Sequence, residues 1–141
     1  KTWPPDRATI RPMTAQLGWV IAYVPDVEEA VAFYERSFGL ERNFVSEEGD
    51  FGELNTGAAK LGFASEALGE SNFEGGFERP GGRPFNVEIV LVFDDPAQAF
   101  ARAVEHGATP LAEPKEKPWG QVVGYLRDPF GTLLEIASPV P

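Results

Sequence analysis

Two glutamates stand where a carboxylate can do chemistry. Glu88 lies in VEIVLV and Glu135 lies in TLLEIAS, and both stretches have the pattern of buried strands. Because side chains alternate between the faces of a strand, each glutamate shares its face with apolar neighbours. Such surroundings raise the pKa of a carboxyl group unless a positive charge lies nearby.

Three interpretations of this pair are open. A bound cation or an amine-bearing ligand can satisfy both carboxylates. Alternatively, one carboxyl group stays protonated and hydrogen-bonds to the other, or acts as a general base. In the third interpretation, both glutamates pair with arginine, tyrosine or backbone donors and have no functional role.

Aromatic residues favour the first interpretation. Trp19 opens the first predicted strand, Trp119 lies in the loop KEKPWGQ, and Tyr125 follows on the next predicted strand. Aromatic rings and carboxylates around one concavity suit a flat, cationic or amine-bearing molecule, which they hold by stacking and cation–π contact. Glu53, in DFGELNT, is a possible supplementary acid, although this stretch is equally typical of an exposed strand.

Several kinds of chemistry are excluded by residues that the sequence lacks. There is no cysteine, which rules out disulfides, thiol nucleophiles and cysteine-based zinc sites. The single histidine, His106, follows the second predicted helix, where it has a structural role at the helix C-terminus. The sequence has no G-x-S-x-G, P-loop or H-E-x-x-H motif.

The charge balance is strongly acidic. The net charge is -10, and residues 1–12 hold three basic side chains and one acidic one, so the other 129 residues carry -12. This charge repels nucleic acid. No apolar run approaches the roughly 18 residues that span a bilayer, and no signal-like segment is present. We therefore expect a cytoplasmic protein that has no nucleic-acid or membrane partner.

The sequence contains an internal repeat of one supersecondary unit. The stretches VIAYVPDVEEAVAFYERSFG and IVLVFDDPAQAFARAVEHG align with Asp26 on Asp95, an offset of 69 residues. Each begins as a short apolar strand, continues with an aspartate suited to a helix N-cap, and then has apolar residues at helical spacing. The two predicted helices end near Gly39 and Gly107.

Three strands are predicted after each helix. They cover residues 41–48, 50–56 and 58–65 in the first half, and 108–113, 120–128 and 132–138 in the second. The last two are joined by DPFG, which fits a type I turn. The order βαβββ therefore occurs twice, which predicts an α+β protein whose helices pack on one side of a curved mixed sheet.

The organisation follows from these elements. Residues 1–12 are interpreted as a flexible arm or an expression remnant, 13–66 as the first module, 67–85 as a glycine- and proline-rich connection, and 86–141 as the second module. Two phenylalanines, Phe73 and Phe77, are unusual for a linker. They either fold back over a cleft or cover the outer core.

Three stretches together resemble the vicinal oxygen chelate superfamily, which includes glyoxalase I, extradiol dioxygenases, fosfomycin-modifying enzymes and bleomycin resistance proteins. The stretches are VPDVEEAVAFYERSFGL, VEIVLVFDDPAQAFARAVEHGA and PWGQVVGYLRDPFGTLLEIASP. The resemblance implies that paired modules enclose a cleft. It also implies a homodimer, since many members pair and some build the cleft from two chains.

The resemblance also identifies four positions at which metal-using members place ligands. In this sequence they are occupied by Trp19, Gly62, Glu88 and Glu135, so that only the second module offers carboxylates. A catalytic divalent ion normally has about three protein ligands. Two carboxylates would hold such an ion weakly.

We therefore expect a metal-independent protein that binds a small planar or cationic molecule and has a role in antibiotic sequestration. The expected ligand-binding residues are Trp19, Glu88, Trp119, Tyr125 and Glu135. The alternative is a metal-dependent lyase, isomerase or dioxygenase that holds Mn, Ni, Zn or Fe on Glu88 and Glu135. A third possibility is a protein in which a dimer interface is all that remains of the site.

Overall fold

The chain folds as two successive βαβββ modules, as the sequence predicts. The computed structural model describes residues 13–141, and the arm predicted for residues 1–12 lies outside them. In chain order the elements are β1 Trp19–Val24, α1 Val27–Phe38, β2 Glu41–Val45, β3 Phe51–Asn55, β4 Lys60–Ser65, α2 Glu66–Asn72, β5 Glu88–Val92, α3 Pro96–Glu105, β6 Thr109–Glu116, β7 Val122–Arg127 and β8 Leu133–Ala137.

The strands form two separate four-stranded sheets. Sheet 1 has the order β1-β4-β3-β2, and sheet 2 has the matching order β5-β8-β7-β6. In each sheet the first strand pairs parallel with the last, and the other pairs are antiparallel. The expected single curved sheet is therefore divided, because β1 and β5 are both edge strands and no ladder joins them within residues 13–141.

Both long helices begin at the predicted aspartates. Asp26 accepts a hydrogen bond from the backbone N–H of Glu29 at 3.0 Å, and Asp95 accepts one from that of Gln98 at 3.1 Å. These carboxylates satisfy N–H groups that have no partner inside the helix. The aspartates that align in the repeated sequence therefore have the same role, as N-caps of α1 and α3.

The connection between the modules begins with a helix that the sequence analysis did not predict. Ser65 caps α2 by accepting from the backbone N–H of Leu68 at 3.1 Å. Gly69, which argues against a helix on propensity alone, is required by close packing. A Cβ atom at this position would lie 2.8 Å from the ring of Tyr23.

One apolar core joins the two modules. Helix α1 packs on sheet 1, α3 packs on sheet 2, and the two helices also contact each other. The buried Tyr34 hydroxyl of α1 donates to Asp128 Oδ2 at 2.6 Å. Because Asp128 lies in the β7–β8 hairpin, this hydrogen bond joins the two modules. The Gly131 N–H donates to the Asp128 carbonyl at 3.1 Å, as expected for the predicted type I turn.

The sheet faces that point away from the helices remain accessible. Open face 1, on sheet 1, carries Trp19, Ile21, Phe44, Phe51 and Glu53. Open face 2, on sheet 2, carries Glu88, Val90, Val92, Tyr125 and Glu135. Their positions follow from strand alternation, because Leu54, Leu126, Leu134 and Ile136 face the core. None of the helices in residues 13–141 is long and apolar enough to cross a membrane.

Candidate functional site

Open face 2 brings three of the predicted site residues together. Tyr125 of β7 lies opposite Glu135 of β8 in the antiparallel ladder, and its hydroxyl donates to Glu135 Oε1 at 3.1 Å. On the other side of β8, Glu135 pairs with Val90, two residues along β5 from Glu88. The register of three strands therefore places both carboxylates and one phenol on a single surface.

The two carboxylates influence each other. The pKa of Glu88 is raised by partial desolvation, and further by hydrogen bonding to Glu135 and by the charge of Glu135. The pKa of Tyr125 is raised by burial and by the same acidic neighbours, which keeps its hydroxyl protonated as a donor. Within residues 13–141, neither glutamate forms a salt bridge with a basic side chain. The pair is thus a local excess of negative charge.

This excess has a consequence for stability. A raised pKa means that the folded protein binds the Glu88 proton more tightly than the unfolded chain does, so this carboxyl group stabilises the fold below its ordinary pKa and loses that contribution as the pH rises. We expect Glu88→Gln to raise the free energy of unfolding at pH 7, by less than about 1 kcal/mol because Glu88 is exposed. Thermal unfolding between pH 3 and pH 8 measures this.

The advantage of Glu88→Gln should disappear below about pH 4, where the glutamate is protonated and neutral like glutamine. Glu113→Gln is the matched control, since Glu113 is an exposed residue of the same sheet. An advantage that is constant with pH, or one that Glu113→Gln reproduces, would contradict repulsion between Glu88 and Glu135.

Open face 1 holds Trp19 in a different environment. Its indole N–H donates to Glu53 Oε1 at 2.6 Å, and the side-chain amide of Asn43 donates to Glu53 Oε2 at 2.8 Å. These two hydrogen bonds, the one from Trp19 first, lower the pKa of Glu53. Glu53 therefore remains a carboxylate that fixes the orientation of an indole ring with 55% of its surface exposed.

The position equivalent to Glu135 in the first module is filled by a ring. A Cβ atom at Gly62 would lie 3.0 Å from Phe51 Cζ on the neighbouring strand. A side chain at this position would meet Phe51, whose ring lies in the space into which the side chain would project. The first module thus has an apolar ring where the second has a carboxylate.

Trp119 lies on the loop between β6 and β7. Its indole N–H donates to Gln121 Oε1 at 2.8 Å, and Gln121 in turn donates to the Ser138 carbonyl at 2.8 Å. The same loop places the Lys117 ammonium 5.8 Å from the centroid of the Tyr125 ring. The ring of Tyr125 is therefore within cation–π distance of a positive charge.

The predicted residues form one cluster and two outliers. Glu88, Tyr125 and Glu135 share open face 2. Trp19 is on open face 1, and within residues 13–141 no hydrogen bond or ring contact connects Trp19 or Trp119 to that cluster. The hydrogen bond from Trp19 to Glu53 is not predictable from the sequence, because it depends on the register of β3 and β4, which places Glu53 beside Gly62.

The residues at the four positions where metal-using members place ligands do not fit a catalytic metal centre. Gly62 offers no side chain, and the N–H of Trp19 is a donor that is already used. Only Glu88 and Glu135 remain, fewer than the about three protein ligands that are usual for a catalytic divalent ion. No group of three or more histidine, cysteine, aspartate or glutamate side chains in the described part of the chain is arranged to hold a metal ion.

These features define a class of proteins built from paired βαβββ modules. The model of the Glyoxalase/Bleomycin resistance protein/Dioxygenase superfamily matches residues 16–136. The chain belongs to this superfamily, as the resemblance noted in its sequence predicts.

Solved structures show the same fold. A glyoxalase-related enzyme from Fulvimarina pelagi has a TM-score of 0.74 and 22% identity, with 89% of each chain covered. A glyoxalase/bleomycin resistance protein/dioxygenase family enzyme from Burkholderia phytofirmans has a TM-score of 0.76 and 24% identity, covering 90% of this chain and 100% of the other. No curated protein is detectably similar in sequence. At these identities the structural likeness establishes the fold alone.

Proposed function

We propose that this protein binds a small planar or cationic molecule without a metal ion. Open face 2 supplies the acidic part of the site, with Glu88, Tyr125 and Glu135. Trp19 and Trp119 lie outside this face, and the second copy of the homodimer proposed below would bring them to it as stacking surfaces. A protein of this kind can sequester an antibiotic without altering it, which is the biological role that we propose.

The acid pair is the observation that carries this proposal. Desolvation and the neighbouring Glu135 raise the pKa of Glu88, and no basic side chain of residues 13–141 forms a salt bridge with either carboxylate. A cationic guest between the two carboxylates would relieve their repulsion. A neutral or anionic guest would gain nothing from the pair.

Tyr125 supports a guest that is flat as well as positively charged. Its hydroxyl is held by Glu135, which fixes the ring beside the carboxylate. The ammonium group of Lys117, on the loop between β6 and β7, already lies near this ring. A cationic aromatic guest would take the place of Lys117 and add stacking to the cation–π contact.

The metal-dependent alternative has less support in the structure. An enzyme that uses Mn, Ni, Zn or Fe would need a third ligand beside Glu88 and Glu135, and the equivalent positions in the first module hold Trp19 and Gly62. We therefore assign no catalytic step to this face.

A pair of matched dyes tests the proposal. Proflavine is a planar tricyclic cation at pH 7, and acridine has the same ring system but is neutral at that pH. We expect proflavine to bind about tenfold more tightly than acridine at low ionic strength, which corresponds to about 1.4 kcal/mol. Fluorescence titration measures both affinities. Equal affinity for the two dyes would contradict recognition of positive charge.

We also propose that the protein is a homodimer in which the open faces of the two copies lie opposite each other and enclose the ligand-binding cleft. On β1, Trp19 and Ile21 are 55% and 45% exposed, and on β5, Val90 and Val92 are 44% and 57% exposed. Within residues 13–141 both strands are sheet edges, and exposed apolar edge strands are prone to association.

Sedimentation velocity tests the dimer. We expect the wild type to sediment as a dimer, and Val90→Glu together with Val92→Glu to convert it to a monomer. Val140→Glu is the control, because Val140 is 70% exposed but lies beyond β8. A wild-type protein that is monomeric at micromolar concentration would overturn the proposal.

A further inference from the structure

A cavity lies at the junction of the two modules, next to the acid pair of β5 and β8 but not including it. Its volume is about 270 Å³. One wall is β1 from Val20 to Tyr23, a second is formed by residues 130–133, and the connection between the modules closes it from above. Neither Glu88 nor Glu135 is among the residues that line it.

The lining is mainly aromatic and aliphatic. Tyr23, Phe77, Phe85 and Phe130 contribute four rings, and most of the remaining lining residues are aliphatic. Among the lining residues in the described range 13–141, only Tyr23, Glu78 and Thr132 have side-chain oxygen atoms. Such a surface favours an uncharged aromatic molecule that has no more than one or two polar groups.

The volume of the cavity limits the size of its occupant. An apolar protein cavity of about 150 Å³ stays free of water and binds benzene. A cavity of about 270 Å³ is nearly twice as large. It therefore accommodates a molecule of two fused aromatic rings.

The roof of the cavity is held by a chain of contacts from Tyr23 to α2. The ring centroid of Phe77 is 4.8 Å from that of Tyr23, and the guanidinium of Arg79 lies 5.1 Å from the centroid of Phe77. Arg79 forms ion pairs with Glu66 at 3.3 Å and with Glu70 at 3.0 Å, both on α2. Because exposed ion pairs of this kind contribute little to stability, the ring of Phe77 is the main part of the roof that a ligand would contact.

A second contact ties the roof to the other module. The Arg127 Nη1 group donates to the Gly81 carbonyl at 3.0 Å, and Arg127 also donates to the Gly131 carbonyl. The connection is therefore attached to α2 at one end and to the β7–β8 hairpin at the other. This arrangement gives Phe77 a defined position over the cavity.

We propose that this cavity is a second binding site, for an uncharged bicyclic aromatic molecule, and that Phe77 is its closing residue. The site is distinct from the acidic face described under the proposed function. It recognises apolar shape, whereas open face 2 recognises positive charge. The two sites therefore have different ligands and are tested separately.

The probe for this site is 2-naphthol, a neutral bicyclic molecule with one hydroxyl group. We expect its addition to shift the backbone amide resonances of the cavity lining, from β1, the connection and residues 130–133, in a 15N-labelled wild-type protein. Shifts that are absent, or that are confined to open face 2, would overturn the proposal. This result needs no variant and depends on neither glutamate.

The connection provides a matched pair of variants. Phe77 lines the cavity, whereas Phe73, four residues earlier, is 53% exposed and does not. We expect Phe77→Ala to weaken 2-naphthol binding about tenfold, as loss of an aromatic contact and its buried area predicts, and Phe73→Ala to leave it unchanged. Equal effects of the two variants would overturn the role of Phe77.

A third variant separates this site from the proposed function. We expect the double variant Glu88→Gln with Glu135→Gln to bind 2-naphthol as the wild type does. If proflavine binding fails and 2-naphthol still maps to the cavity, only the acidic site is disproved. If 2-naphthol fails to bind and proflavine binds, only the cavity is disproved.

Discussion

Replacement of Asp128 by alanine should lower the free energy of unfolding by about 3–5 kcal/mol, because three donors lose their acceptor at once. Asp128 Oδ2 accepts from the Tyr34 hydroxyl at 2.6 Å, and Oδ1 accepts from the backbone N–H groups of Phe130 and Thr132, both at 2.9 Å. Asp128 is only 3% exposed, so water cannot readily replace the carboxylate. Urea unfolding followed by circular dichroism measures the change.

Two further variants show how much of this effect belongs to the contact between the modules. Tyr34→Phe removes the hydroxyl from α1 and leaves the turn intact, so we expect the free energy of unfolding to fall by about 1.5–3 kcal/mol, the usual contribution of one hydrogen bond to a charged group. Asp94→Ala, at an exposed position, should change the free energy of unfolding by less than about 0.5 kcal/mol. An Asp128→Ala effect as small as that of Asp94→Ala would show that the buried network does not stabilise the fold.

Most of the fold is predictable from the sequence because its signals are local. Asp26 and Asp95 each cap a helix by a hydrogen bond to a residue only three positions further along the chain. The type I turn of DPFG depends on four consecutive residues. Strand alternation then decides which face is buried. These interactions do not depend on the rest of the chain, so the pattern of residues is enough to identify them.

The parts that the sequence did not predict depend on distant contacts. Helix α2 was missed because Gly69 lowers helix propensity, and the close approach of Tyr23 that requires this glycine is a tertiary contact. Likewise, the ring of Phe51 over Gly62 depends on the register of β3 and β4. The division of the expected sheet into two sheets depends on how whole modules pack, and no local pattern specifies that.

The candidate site shows the same division. Strand alternation predicted that each glutamate shares its face with apolar neighbours, and the resemblance to the superfamily implied that both line one cleft. That they share a surface with Tyr125 follows from the strand order β5-β8-β7, which the structure supplies. The sequence pattern cannot show how far Trp19 lies from this cluster, since Trp19 belongs to the other sheet. Whether a second copy brings Trp19 close to the acid pair is a question about the proposed dimer.

Neutralising both glutamates of open face 2 should have the largest effect on ligand binding. We expect Glu88→Gln with Glu135→Gln to weaken proflavine binding 10- to 100-fold. Two unit charges 4 Å apart interact with about 1 kcal/mol in bulk water and about 4 kcal/mol near a protein surface. The double change removes two such attractions, and it also removes the repulsion between the glutamates that the guest relieves, so the loss corresponds to a few kcal/mol at most.

The control for this experiment must change the net charge by the same amount. Glu47→Gln with Glu48→Gln does so at two exposed glutamates of the β2–β3 connection. If long-range attraction by the acidic protein were the cause, both double variants would weaken proflavine equally, and added salt would remove the difference from the wild type. A loss specific to Glu88 and Glu135 that persists at about 0.15 M salt requires short-range contact with the guest, and unchanged affinity in their double variant would contradict an acidic binding site on open face 2.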